Sequence, residues 1–170
     1  MRKKLKLVII DKDYCNYLRK YDNKVPYNFD KKENRPFVGV LFKIGEMNYY
    51  APLSSPKPKH LKMHNSIDFL KLDNGNIGAV NFNNMLPVLE NNIKQLDLKS
   101  TFLDKKQNEY QKLLIKQYRW LNRHTYLILK RSVHLYSLYT TNKLPKTITK
   151  RCCDFKLLEE KCLEYNSVSV

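Results

Sequence analysis

The sequence predicts an α+β protein: a compact antiparallel sheet or small barrel first, helices last. Three observations carry that reading. From Phe37 to Leu89, short runs rich in Val, Ile, Phe and Tyr alternate with tight-turn signals. After Leu98 the apolar spacing changes to a helical period. The 170 residues are 42% hydrophobic, with no internal repeat and no low-complexity linker, which predicts one domain over residues 1–170 with one buried core.

The elements follow in order. Lys4 to Ile10 is β-prone, through Leu5, Leu7, Val8, Ile9 and Ile10. Asp11 or Asp13 then caps a short helix over 13–21, because a carboxylate accepts the free amides of a first turn. Tyr14, Tyr17, Leu18 and Tyr21 fall at helical spacing in it. Val25 to Pro36 is polar and holds two prolines, so it reads as a loop. Strands are expected over 37–44, 48–53, 67–72, 77–82 and 85–89. Gly45-Glu46 and Asp73-Asn74-Gly75-Asn76 supply turns, the latter with residues that tolerate positive φ. Residues 104–139 are helical by period, as two helices with a break near Asn122 to Thr125. Asp154 caps a last helix to Tyr165, with Phe155, Leu158 and Cys162 on one face.

Charge narrows the function. Lys and Arg number 32 against 16 Asp and Glu, a formal net charge of +16. Such a charge repels itself when folded, and an anionic partner relieves it. Twelve Tyr, seven Phe and one Trp accompany it. Bases stack on aromatic rings, so this combination favours single-stranded nucleic acid. Between Tyr110 and Cys153 there are ten Lys or Arg and no acid. Lys112, Lys116, Arg119, Arg123 and Lys130 lie in one narrow helical sector, with Leu114, Tyr118, Leu121 and Ile128 opposite. A solvated helix face normally mixes signs, whereas a one-sign stripe gains by meeting phosphates and releasing their counterions.

Other classes are disfavoured. The apolar run Leu7 to Ile10 is too short for a signal peptide, and no run reaches membrane-spanning length. Cys15, Cys152, Cys153 and Cys162 form no C-x-x-C pair and read as free thiols of a reducing cytoplasm. Four glycines and no G-x-x-x-x-G-K-[ST] argue against a nucleotide-cradling loop. His60 and His64 stand four apart without an obvious third ligand, and the carboxylates are scattered, so neither metal nor cofactor is expected. No helix-turn-helix pattern supports DNA binding.

Pro52-Leu53-Ser54-Ser55-Pro56-Lys57-Pro58-Lys59-His60 follows a strand and gathers two hydroxyls, two ammonium groups and an imidazole in a proline-stiffened turn. RNA is cut without metal when its 2′-OH attacks the adjacent phosphate. That reaction needs alignment, charge neutralisation and management of two protons. Lys57 suits the charge, Ser55 suits hydrogen bonding to the phosphate or the attacking hydroxyl, and His60 or a tyrosine suits a proton. By composition alone an ordinary polar turn is the favoured reading.

These residues resemble the ToxN/AbiQ (CptN-like) endoribonuclease toxins of type III toxin–antitoxin and phage-exclusion systems. The resemblance runs through Tyr14-x-x-Tyr17-Leu18, Asp22-x-Lys24-Val25-Pro26, Pro36-Phe37-Val38-Gly39-Val40-Leu41, and Tyr50-Ala51-Pro52-Leu53-Ser54-Ser55-Pro56-Lys57-x-x-His60. It continues with Gly78-x-Val80-Asn81-Phe82-x-x-Met85-Leu86-Pro87-Val88, Tyr110-x-x-Leu113-Leu114-x-x-Gln117, and Phe155-x-Leu157-Leu158-Glu159-Glu160-Lys161.

The resemblance implies a Kid/MazF-like barrel elaborated with helices, and metal-independent cutting of single-stranded, often adenine-rich RNA. It also implies a repeat RNA antitoxin that the toxin processes and that holds it in a closed protein–RNA assembly. Free toxin is then expected to degrade cellular or phage mRNA, giving abortive infection. By the same resemblance Ser55, Ser54, Lys57 and Arg35 are the catalytic candidates. Where this chain has Arg35 relatives can carry Lys, and a guanidinium grips phosphate but donates a proton poorly. Tyr14, Lys59, His60 and the basic stripe are the RNA-binding candidates; residues 27–34 align poorly and receive no role. The rival reading is a non-catalytic, basic RNA-binding protein.

Overall fold

The computed structural model describes residues 3–27 and 35–168; most of the 25–36 loop reading therefore lies outside the described residues. The chain runs β1 (Lys6–Ile10), α1 (Lys12–Arg19), β2 (Phe37–Gly39), β3 (Lys43–Ile44), β4 (Met47–Ser54), α2 (Pro58–Lys62), β5 (Phe69–Lys71), β6 (Ala79–Asn81), β7 (Leu86–Val88), β8 (Ile93–Gln95), α3 (Lys105–Arg123), α4 (Thr125–Thr140), α5 (Lys146–Thr149) and α6 (Phe155–Val168). The α+β class holds: an antiparallel sheet is followed by a helical C-terminal half.

The sheet order is β5-β6-β4-β2-β1-β8, with β3 and β7 also paired to β4. β4 organises it. Its residues Met47 to Leu53 are all buried, because the strand is covered on both faces. Phe37 lies opposite Pro52, Leu53 opposite Val80, and Tyr49 opposite Pro87. The single strand expected over 37–44 is instead two short strands, β2 and β3. Strand β8 and helices α2 and α5 were not legible, being three to five residues long with no periodicity to read.

Helix ends follow the chemistry of their caps. The Asp11 carboxylate accepts from Tyr14 N at 2.9 Å, Asp104 from Gln107 N at 3.0 Å, and Asp154 from Leu157 N at 3.2 Å. The break between α3 and α4 falls at His124, whose ring stacks on Trp120 with centroids 3.9 Å apart.

The helices are pinned to the sheet by buried polar ties. Asn122 exchanges two hydrogen bonds with the Leu5 backbone, joining the end of α3 to the residue before β1. Glu159 of α6 is buried yet satisfied: its Oε1 accepts from Tyr49 Oη at 2.8 Å and Tyr136 Oη at 2.5 Å, and its Oε2 from Lys156 Nζ at 3.2 Å. Removing those donors strands a charge in the core, which costs about 3–5 kcal/mol. The rings of Phe42, Tyr49, Tyr136, Tyr139 and Phe155 pack together as one aromatic cluster, of which Tyr49 and Tyr136 reach that carboxylate.

Candidate active site

The site forms where β4 ends. Leu53 N donates to Pro36 O at 2.9 Å, which continues the β2–β4 register one pair beyond Phe37 and Pro52. Carried one pair further, that register would set Arg35 opposite Ser54. Directly opposed residues share a face of the sheet. On the other side of β4, the Asn81 amide of β6 donates to Ser54 Oγ at 2.9 Å. The Ser54 hydroxyl proton is thereby left to donate outward. Ser55, Lys57 and Lys59 are exposed beyond it.

Arg35 is half-buried, and burial holds its guanidinium below the ordinary arginine range. Among the described residues no carboxylate pairs with it. The phenol of Tyr110, at the start of α3, is its electrostatic neighbour; burial raises that phenol and Arg35 lowers it. A desolvated cation without a carboxylate partner binds a phosphate at a smaller loss of hydration than a fully solvated one. A backbone tie holds α3 here as well. Gln117 Nε2 donates to Ile77 O at 2.8 Å and reaches Ser54 O at 3.4 Å.

Sequence reasoning assigned no role to Asn81, Tyr110 or Gln117. Each stands inside a motif quoted for the resemblance. Their relation to Ser54 and Arg35, however, depends on the β4–β6 register and on the docking of α3, neither of which spacing reveals.

Two of the RNA-binding expectations require correction. Tyr14 is fully buried. Its hydroxyl donates to Pro87 O at 2.5 Å and its ring packs on Tyr165 at 5.2 Å, so it lies on the inward face of α1 and its burial raises the phenol strongly. His60 is only 2% exposed and cannot meet a strand directly. The basic stripe is real but shorter than its spacing implied. Lys112, Lys116, Arg119 and Arg123 are exposed on α3, opposite its buried Gln111, Leu114, Gln117 and Leu121. Lys130 is exposed on α4, beyond the break, where its Nζ lies 5.8 Å from the Tyr126 ring. Continuous helical phasing therefore does not reach it.

His60 acts from inside the turn. Lys57 N donates to His60 Nδ1 at 3.3 Å, and His60 N donates to Lys57 O at 2.9 Å. Nδ1 accepts, so the neutral ring carries its proton on Nε2. The ring packs 5.8 Å from Phe69, and a Cβ on Gly75 would stand 3.0 Å from His60 O. Burial, then the cations of Lys57 and Lys59, hold the imidazole below its ordinary value of 6.5. The unfolded chain therefore binds the proton first. The stabilisation from neutral His60 is full above about 6.5 and is lost as pH falls through the lower folded value. His60→Asn keeps an acceptor and removes the titration. Melting temperatures of the two proteins, compared from neutral to mildly acid pH, are expected to diverge, with the wild type falling more steeply. Parallel curves would remove His60 as a titrating support of the turn.

Sheet, turn and basic helix together define a class: an α+β protein whose strand end presents hydroxyls and cations suited to a phosphodiester. Known proteins narrow this. Residues 6–163 match the family model described as Toxin ToxN, type III toxin-antitoxin system. An endoribonuclease ToxN of Bacillus thuringiensis subsp. kurstaki is 37% identical over 92% of this chain and 81% of its own length. A solved structure concerning selective toxin inhibition by a non-coding RNA pseudoknot in bacterial type III systems superposes with TM-score 0.82 at 36% identity. That match covers 96% of this chain and 99% of the other. The structure of AbiQ, a lactococcal anti-phage endoribonuclease of the type III system, gives TM-score 0.81 at 30% identity, covering 97% and 99%. The chain belongs to the ToxN toxin family.

Proposed function

We propose that this chain is a metal-independent endoribonuclease toxin of a type III toxin–antitoxin system, one domain over residues 1–170, acting in the bacterial cytoplasm. The observation that carries the reading is the end of β4, where Ser54 is held by Asn81, exposed Ser55 and Lys57 follow, and the Leu53 N to Pro36 O bond draws in the segment that bears half-buried Arg35. Arg35 grips the scissile phosphate and Lys57 neutralises charge on its non-bridging oxygens. Ser54 and Ser55 orient the phosphate and the neighbouring 2′-OH. The 2′ oxygen attacks phosphorus, the P–O5′ bond breaks, the 2′ proton leaves to a base and O5′ gains one. The products are a 2′,3′-cyclic phosphate and a 5′-OH.

The substrate is single-stranded, A-rich cellular or phage mRNA. The partner is a small repeat RNA that the toxin cuts into units, and these units hold it in a closed protein–RNA assembly. The pseudoknot that inhibits the related toxin supports that partner, and the anti-phage activity of AbiQ supports a role in abortive infection. The sheet is the counterpart of a Kid/MazF-like barrel, which the pairing of β4 with four different strands supports. Four buried free cysteines fit a reducing compartment, and no helix among the described residues is long and apolar enough to cross a membrane.

The test is incubation of purified protein with end-labelled single-stranded RNA in EDTA. Cleavage with cyclic-phosphate ends is expected; intact RNA bound to folded protein would instead identify a non-catalytic RNA-binding protein. Changing Lys116 and Arg119 to Ala is expected to weaken binding and flatten its salt dependence by about one slope unit per lost phosphate contact. An unchanged slope in a salt titration would make the α3 stripe a merely solvated face.

A further inference from the structure

A concavity lies beside Asn81, the residue that holds Ser54. It has a volume of about 370 Å³ and is lined in part by Asn81, Asn83, His64, Phe69, Asp68 and Arg151. Asn81 is the same side chain that donates to Ser54 Oγ, so one residue links this cavity to the end of β4. The wall is built rather than incidental. Asp68 is 2% exposed, and its carboxylate accepts from Arg151 Nε at 2.5 Å, Arg151 Nη2 at 2.8 Å and Ser66 Oγ at 2.8 Å. The Arg151 side chain is nevertheless 51% exposed. A guanidinium has five N–H donors, and the fork to Asp68 engages only two nitrogens, so donors remain for a ligand. The Asn83 amide is anchored by donation to Arg151 O at 3.2 Å, with its carbonyl oxygen not used in that bond.

Charge decides what kind of group fits. The chain as a whole carries a formal net charge of +16, but here Asp68 offsets Arg151. A phosphate gains little from a neutral pair. A neutral group with hydrogen-bonding edges and a flat face gains from the guanidinium, the two amides, and the His64 and Phe69 rings. We infer that this cavity is a nucleobase subsite. It receives the unpaired base of a nucleotide flanking the scissile phosphate, with acceptor atoms toward Arg151 and a donor toward the Asn83 side-chain carbonyl, and so contributes to where the strand is cut. The inference rests on the ribonuclease reading above and adds the residues that choose the base.

His64 and Asn83 are the residues to change, because Arg151→Ala would leave Asp68 buried without its partner and endanger the fold. His64→Ala and Asn83→Ala are each assayed on a pool of single-stranded RNA randomised around the cut. The expected result is a preference relaxed by roughly tenfold at one position beside the cut, with the best sequence still cleaved and preferences elsewhere kept. Unchanged preference, or uniform slowing at every sequence with a lowered melting temperature, overturns the subsite. A binding arm separates this from the parent reading. In a Ser55→Ala background, the affinities of oligo-A, oligo-C, oligo-G and oligo-U are ranked with and without the His64 and Asn83 changes. A changed ranking supports the subsite even if no cleavage is ever seen, and an unchanged one overturns it even if cleavage is brisk.

Discussion

Ser55→Ala is expected to lower RNA cleavage by at least about 100-fold, the size of effect seen when one well-placed hydrogen-bond donor is removed from a transition state. RNA affinity should hold within about twofold, because cations supply most of the binding free energy to a phosphate backbone. The split follows from position. Ser54 Oγ is engaged by Asn81 and helps to fix the end of β4, so Ser54→Ala disturbs structure and chemistry together. Ser55 is exposed one residue further on, so its loss should not disturb the core. Three measurements check this: single-turnover cleavage, equilibrium binding to the same oligonucleotide, and growth on expression. Wild type should arrest growth of a bacterial host and the variant should not. Undiminished cutting by Ser55→Ala would take its hydroxyl out of the mechanism and leave Arg35 and Lys57 to carry the reaction.

How far the sequence revealed this arrangement depended on whether a feature is local. The caps at Asp11, Asp104 and Asp154 are contacts three residues long, and the break between α3 and α4 interrupts a long period; those at Asp11 and Asp154 and the break near Asn122 to Thr125 were legible. The turn after β4 was legible as a cluster of hydroxyls and cations because its residues are consecutive. Features that depend on pairing were not. The segment bearing Arg35 is drawn to the end of β4 by the Leu53 N to Pro36 O bond, Asn81 reaches Ser54 through β6, and Gln117 is brought from α3 by packing alone. Burial misled in two places for a related reason. Tyr14 and His60 have polar tips that suit solvent or RNA equally well in a string of letters. Only the fold shows that Pro87 O and the Lys57 backbone take up those tips.

Gly78→Ala tests whether the fold clamps the turn after β4 from behind. Gly78 has φ +115°, a conformation that L side chains rarely adopt, and a Cβ there would lie 2.0 Å from Ser54 O and 3.0 Å from Gln117 Nε2. The first obstacle is backbone, so no rotamer change relieves it. Strain and overlap together should cost on the order of 4 kcal/mol. For a chain of this size that lowers the melting temperature by roughly 8–16 °C. Gly45→Ala is the matched control. Gly45 also has positive φ, +58°, but nothing lies within 4 Å of its missing Cβ, so only the left-handed backbone penalty of about 1–2 kcal/mol applies. Activity should separate the two as well. If Gly78→Ala folds at low temperature, it does so by pushing Ser54 away from β6 and breaking the Asn81 bond, so cleavage should be lost even where the protein is folded. Adding Gln117→Ala should not restore it, because the carbonyl of Ser54 is still in the way. Equal melting temperatures for the two alanine variants, or full activity in folded Gly78→Ala, would show that the close approach of β4 and the Gly78 backbone is not what holds the serines in place.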